Sequence, residues 1–237
     1  HKYGNATGDD LWQALGDASG IQVGDIMNTW LEQPGYPVVT AAVKDGQLTI
    51  AQQQFFIGEG EEVGRLWKMP LNSNYDAAPA IFGDRAATLG DYAQLRQANG
   101  QPFRLNVGNN SHFIVKYDQT LMDDILAHVD DLSNIDQLQL LQDLRLLAEG
   151  RQISYATIVP LLGRFAASDS TLVNVALYQL AGNLRKFVTP DSDEERQLQA
   201  LYDQLSADQV KRLGWTPKAG DSFDDQLTRP YILSATL

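Results

Sequence analysis

The period of the apolar residues changes twice along this chain, and that fixes which elements can form where. From residue 5 to residue 33 the spacing is helical. Thr7 is placed to cap a first helix, with Asp9 and Asp10 in the turn where a carboxylate suits the helix dipole. Leu11, Trp12 and Leu15 share a face, and Gly20 breaks it. Val23, Ile26, Met27, Trp30 and Leu31 then repeat at i, i+3, i+4, i+7, i+8. Pro34 ends that helix, because the residue before a proline is pushed out of the helical region. The stretch Trp30-Leu31-Glu32-Gln33-Pro34-Gly35-Tyr36-Pro37 is thus the first change of period, a helix running through a tight turn into a strand.

From residue 37 to 117 the period is two. Val38 to Val43 reads as a strand, Lys44-Asp45-Gly46-Gln47 as its turn and Leu48 to Ile57 as the returning strand. Residues 58–64 form an acidic loop, and 72–79 are rich in turn formers. Phe103 to Val107 and His112 to Tyr117, flanking Gly108-Asn109-Asn110-Ser111, are expected to form a second hairpin. Residues 83–101 are ambiguous, with Leu89 to Gln97 compatible with a short helix or with strand and loop.

From Gln119 the helical period returns and lasts to the end. Ser133 with Asp136 resembles a capping box, and Ile135, Leu138, Leu141, Leu144 and Leu147/Ala148 make a stripe that Gly150 is placed to stop. Further helices are expected over about 154–165, 171–187, 191–205 and 225–237, the last with Pro230 in its first turn or at a kink. Successive helices of similar length suggest a stacked array. The expected fold is therefore multi-domain, α and β: a short helical segment, a small β-sandwich and an α-helical array. The apolar end at Ile232-Leu233 carries no polar capping helix, so the sequence is expected to be a piece of something longer.

Composition narrows the chemistry. Hydrophobic residues make up 43% and charged residues 20%, enough to build a core. The formal charge of −12, with no Lys/Arg-rich block, opposes nucleic-acid binding. No apolar run is long enough to span a membrane. There is no cysteine, which excludes disulfides, thiolate zinc sites and a cysteine nucleophile. That fits a reducing compartment, and no signal peptide is visible; the expected location is cytoplasmic.

Candidate reactive residues are few. Histidine occurs only at His1, His112 and His128, and none is one helical turn from another, as a His-Glu-x-x-His zinc site requires. The same scarcity disfavours a serine triad. Gly58-Glu59-Gly60-Glu61-Glu62-Val63-Gly64 fails as a phosphate loop, because Val63 replaces the third glycine and the glutamates would repel a pyrophosphate. The doublets Asp9-Asp10, Asp123-Asp124, Asp130-Asp131 and Asp224-Asp225 lack the alternation of a calcium loop and read mostly as helix caps. Trp12, Trp30, Trp67 and Trp215 are expected in cores.

Several stretches resemble the aminopeptidase N family of zinc metallopeptidases. They are Lys2-Tyr3-Gly4-Asn5-Ala6-Thr7 with Asp10-Leu11-Trp12, and above all Trp30 with Gln33-Pro34-Gly35-Tyr36-Pro37-Val38-Val39, then Gln53 with Phe55. Trp67 with Pro70-Leu71, Asn106-Val107-Gly108 with Val115 and Tyr117-Asp118, and Asp143 to Gly150 with Ser154-Tyr155 continue the series; Leu213-Gly214-Trp215, Asp221-Ser222 and Arg229-Pro230 close it. The family's usual Tyr-Arg is Phe113-Ile114 here.

The resemblance implies three parts: residues 1–34 as the helical end of a thermolysin-like catalytic domain, 35–118 as the β-sandwich, and 119–237 as the start of the helical C-terminal domain. It places Trp30, Gln33, Pro34, Gly35, Tyr36 and Pro37 at a structural joint between domains. The family's zinc motif, its Gly-x-Met-Glu-Asn strand and its catalytic tyrosine lie upstream of the matched region. Met27, Met69 and Met122 are not followed by Glu-Asn, so no catalytic or metal residue carries over. The expectation is a non-catalytic fragment, inactive alone, of an enzyme that removes N-terminal residues from peptides. Its partners would be its own upstream catalytic domain and, through the parent, peptides; zinc would belong to the parent. The alternative is a stand-alone β-sandwich and helical-array module that binds other proteins.

Overall fold

Thr7 begins the first helix, α1 (Gly8–Ser19), with a reciprocal cap: its hydroxyl accepts from the Asp10 amide and the Asp10 carboxylate accepts from its own amide at 2.7 Å. Gly20, in the left-handed region at φ 72°, closes the helix. A second helix, α2 (Val23–Leu31), packs back against α1. The computed structural model describes residues 4–235, so His1, Lys2, Tyr3, Thr236 and Leu237, with the readings that fall on them, lie outside it. The chain clusters into two units, His1–Leu121 and Met122–Leu237.

The first unit is built on strands β1 (Pro37–Lys44) and β2 (Gln47–Gln54), an antiparallel hairpin in the expected place. Its turn needs two residues at positive φ, and Asp45 at 49° and Gly46 at 78° supply them. Short strands β3 (Met69–Pro70) and β4 (Ile81–Phe82) pair with each other. Strand β5 (Ala86–Asp91) pairs with β2, and helix α3 (Tyr92–Asn99), capped by Asp91, follows, so both readings of residues 83–101 hold in part. Strand β6 (Ile114–Tyr117) completes a four-stranded sheet in the order β5-β2-β1-β6. The fold is thus mixed helix and sheet. The core holds Val39, Ala41, Leu48 and Ile50 from the sheet with Trp67, Met69, Phe82 and Phe103, all 1% exposed or less.

The expected second hairpin does not form. β6 runs parallel to β1 and does not pair with residues 103–107. The reason is local: Asn106 turns into the left-handed region at φ 54°, sending its own amide to Leu71 O and the Val107 amide to Asn72 O. The buried Asn106 side chain then grips Ser111 at both ends, donating to its carbonyl and accepting from its amide at 2.8 Å each. Asp118 secures the far end of β6. One carboxylate oxygen accepts from the Val43 amide of β1, and the other from Leu121 in the first turn of helix α4 (Gln119–Ala127).

The second unit is helical. α5 (Asn134–Glu149) starts at Ser133, whose hydroxyl accepts from the Asp136 amide, and buries Leu140, Leu141, Leu144, Leu147 and Ala148, whereas Ile135 stays exposed. Gly150 is not the left-handed stop: it sits at φ −79°, and Arg151 takes that position at φ 56°. α6 (Tyr155–Ile158) continues as a 3₁₀ segment to Phe165, and α7 (Thr171–Gly182) likewise to Phe187. α8 (Asp193–Leu213) is capped by Ser192, with Asp193, Glu194 and Glu195 in its first turn. α9 (Phe223–Ala235) carries Pro230 in its interior rather than in its first turn. α7 packs on α5 and α9, and α8 on α9. Trp215 does not enter a core, because it follows the Gly214 turn between α8 and α9 and remains 61% exposed.

Candidate functional site: the joint at residues 29–37

The last turn of α2 does more than end a helix. The Thr29 hydroxyl donates to Ile26 O at 2.7 Å and accepts from the Lys68 amide at 3.0 Å. The Trp30 indole donates to Lys68 O at 2.8 Å. The Gln33 amide donates to Thr29 O at 2.7 Å, closing its own helix, and to Leu66 O at 2.8 Å. On the opposite side of the same segment the buried Gln52 of β2 accepts from the Trp67 amide at 2.9 Å and donates to Trp67 O at 3.0 Å and to Asp84 O at 2.9 Å.

Residues 66–68 therefore behave as a strand whose ladder partners are side chains. In extended backbone the polar groups of successive residues face opposite edges. The Leu66 carbonyl and both Lys68 groups are bonded by side chains of α2 and the turn after it, and both Trp67 groups by Gln52, so these five need no second backbone. Above this ladder Trp30 lies 6.3 Å from the buried Trp67 ring and 5.9 Å from His112. His112 in turn lies 5.1 Å from Tyr36, which lies 5.6 Å from Phe55. The imidazole thus touches one ring before the turn and one after it.

The turn itself follows from its residues. Gly35 sits at φ 93°, and a Cβ there would meet Gln54 Nε2 at 2.5 Å, so both backbone and space call for glycine. Gln54 is held in that place by Arg65, whose guanidinium donates to Oε1 at 2.8 Å. Pro34 lies exposed at the corner. Pro37 opens β1 opposite Gln54, one residue before pairing with β6 begins at Val38, so its missing N–H costs no ladder bond to β6. The Tyr36 carbonyl accepts from the Phe55 amide at 2.9 Å and extends the hairpin by one bond.

The structure thus brings Trp30, Gln33, Gly35, Tyr36 and Pro37 together around one turn. Sequence reasoning placed residues 65–71 in the β region but missed Thr29 and Gln52, the side chains that hold residues 66–68. A signal for Gln52 was present: it continues the inward phase of Leu48 and Ile50, so a polar residue was due on the buried face.

This arrangement holds residues 66–68 through side-chain hydrogen bonds. His112 belongs to the first unit; His128, in the second, follows α4, with Nδ1 2.9 Å from the Asp124 carbonyl. Among the described residues no group of three or more histidine, cysteine, aspartate or glutamate side chains could hold a metal ion. The described donors do not fit a zinc site, which the family resemblance assigns to the region upstream. An open groove of about 420 Å³ between α1 and α2 offers Asp9, Asp17, Gln13 and Trp12, with no imidazole or positioned nucleophile among its lining residues. No helix among the described residues is long and apolar enough to cross a membrane.

Comparison with known proteins follows the same line. Aminopeptidase N of Lactobacillus delbrueckii subsp. lactis is 61% identical over 237 residues, covering 100% of this chain and 28% of that protein. Aminopeptidase N of Lactobacillus helveticus is 62% identical over 238 residues, with the same coverage of 100% and 28%. A protein of Thermoplasma acidophilum named tricorn protease-interacting factor F2 is 31% identical over 222 residues, covering 93% of this chain and 26% of its own length. The chain therefore spans little more than a quarter of these relatives. Residues 103–237, more than half of it, match the sequence profile of the ERAP1-like C-terminal domain. The resemblance to the aminopeptidase N family extends over the whole chain, and with residues 103–237 the chain belongs to the family of ERAP1-like C-terminal domains.

Proposed function

We propose that this chain is a non-catalytic portion of a zinc-dependent aminopeptidase that removes N-terminal amino acids from peptides. One observation carries the reading: identity of 61% to an aminopeptidase N along the full chain, in a region whose described residues contain no metal-binding group. In this reading β1–β6 form a small β-sandwich, and the helices from residue 119 begin a superhelical domain that covers the active site and limits which peptides enter. Leu11, Leu15, Ile21 and Leu31, each 45% exposed or more, would be covered by the upstream catalytic domain, the chain's main partner. The proposed location is the cytoplasm. Zinc-bound water and its glutamate base would belong to that upstream domain. The test is turnover of an aminoacyl-anilide by the pure 237-residue chain with added zinc. No turnover is expected, and turnover abolished by a chelator would overturn the reading.

A stand-alone interaction module is the second reading. Phe223, Leu227 and Tyr231, 75%, 43% and 51% exposed at i, i+4, i+8 on α9, favour it as an open apolar stripe. Genomic sequence directly upstream decides between the two, since an open frame encoding His-Glu-x-x-His excludes the module.

A further inference from the structure

The helical hairpin α1–α2 has no buried residue of its own among those described. Its apolar side chains Leu11, Leu15, Ile21 and Leu31 are exposed. The described polar contacts between this hairpin and the sheets converge on residues 66–68. Thr29 and Trp30 bond the amide and carbonyl of Lys68, Gln33 bonds Leu66 O, and Asp25 lies 3.5 Å from the Lys68 ammonium. The ring contacts of Trp30 with Trp67 and His112 lie beside them. The Asp25–Lys68 pair is exposed on both sides and adds little. Trp67, at the middle of the segment, is bonded to Gln52 of the sheet through both its amide and its carbonyl.

We propose that α1–α2 is a latched element: it opens and closes against residues 66–68 as one body, with Gln33 as the bolt, while the sheet stays folded. Gln33 is the bolt because one amide group serves both sides, bonding the last turn of its own helix and Leu66. Losing it frays α2 and releases the segment together. When the latch opens, Leu66 O and the Lys68 amide and carbonyl pass to water. The Trp67 backbone keeps its bonds to Gln52, so the core need not open with it. Regions attached by few buried apolar contacts are those that open below the global unfolding free energy. The inference concerns the 237-residue chain itself, in which the apolar face of α1–α2 is exposed; in the peptidase reading the upstream domain would cover that face.

Hydrogen exchange on the full 237-residue chain tests it. Amides of α1 and α2 and the Lys68 amide are expected to exchange as one group, faster than Val39, Ala41 and Ile50 in the sheet, and with a smaller urea dependence. Gln33→Ala should speed that group about tenfold and leave the sheet amides unchanged. If Gln33→Ala does not fold, Thr29→Val, which removes the hydroxyl that accepts from the Lys68 amide and donates to Ile26 O, gives the same readout. The proposal is overturned if hairpin and sheet amides share one opening in the wild type. It is equally overturned if the hairpin is unprotected in the wild type and neither variant changes its exchange.

Discussion

Arg151 and Gly150 stand one place out of step with what the end of α5 needs. The left-handed residue is Arg151 at φ 56°, while Gly150 has an ordinary helical φ of −79°. The closing bonds fit a stop centred on Arg151: its amide reaches Ala148 O at 3.0 Å, and the Gln152 amide reaches Leu147 O at 2.8 Å. An L side chain in that region is strained, so Arg151→Gly should stabilise the second unit by about 0.5–1 kcal/mol, read as a rise in melting temperature. Tyr178 presents a different mismatch. It stacks on Tyr202 at 6.3 Å with an interplanar angle of 11°, and Arg185 lies 5.5 Å from the centre of the Tyr202 ring. Its hydroxyl is buried with no hydrogen-bond partner among the described residues, and burial first, then the charge of the neighbouring Tyr202 phenol when ionised, pushes its pKa above the usual tyrosine range. Tyr178→Phe keeps the stack and removes the unpaired hydroxyl, so thermal stability should hold or rise. A clear fall would show that the hydroxyl has a partner.

At the scale of elements, most short-range signals held, Gly150 being the exception. Thr7, Gly20, Asp45-Gly46 and Ser133 act through neighbours within a few residues, and each holds its expected place. The reading of 103–117 as a hairpin failed because both partners were set by distant chain, Leu71 and Asn72 for one and β1 for the other. The partners of residues 66–68 were hidden for the same reason, since their ladder is made of side chains from α2, the turn after it and β2. Trp30 shows how the two kinds of information combine. Helical spacing made it apolar-facing, but only the fold gives its indole Lys68 O and leaves it half-buried rather than buried. Trp30→Ala should therefore cost about 2–3 kcal/mol, below the full large-to-small loss for a buried tryptophan. A denaturant midpoint with no shift would mean that α2 does not dock on Lys68.

Across the molecule the acidic balance matters most where carboxylates are paired. Between α8 and α9, Asp221 accepts from the Lys218 amide at 2.7 Å and from the buried Arg229 guanidinium at 2.6 Å, and Arg229 also reaches Leu213 O at 3.3 Å. The Lys218 amide first, and Arg229 with it, hold the Asp221 pKa below the usual carboxylate value. The Arg212 guanidinium, then the Ser222 amide and hydroxyl, do the same for Asp225. A lowered folded-state pKa gives stability that is present above the unfolded value, near about 3.9, and lost as pH falls through the folded value. The melting temperature of the helical unit should be nearly flat from about pH 7 to pH 5 and fall below about pH 4. Asp221→Asn should lower it at neutral pH and flatten the acid limb.

The sequence by itself determined the order of elements, helix then strand then helix. It also determined the caps and turns that punctuate them, and the kinship carried by Trp30 and Gln33 to Val39, because periodicity and turn chemistry are local. Tertiary structure alone decided that β6 lies parallel to β1, that Trp215 faces solvent, and that Thr29, Trp30, Gln33 and Gln52 together complete a strand they do not belong to. Those outcomes depend on where a backbone polar group far along the chain remains unsatisfied, and only three-dimensional packing settles that.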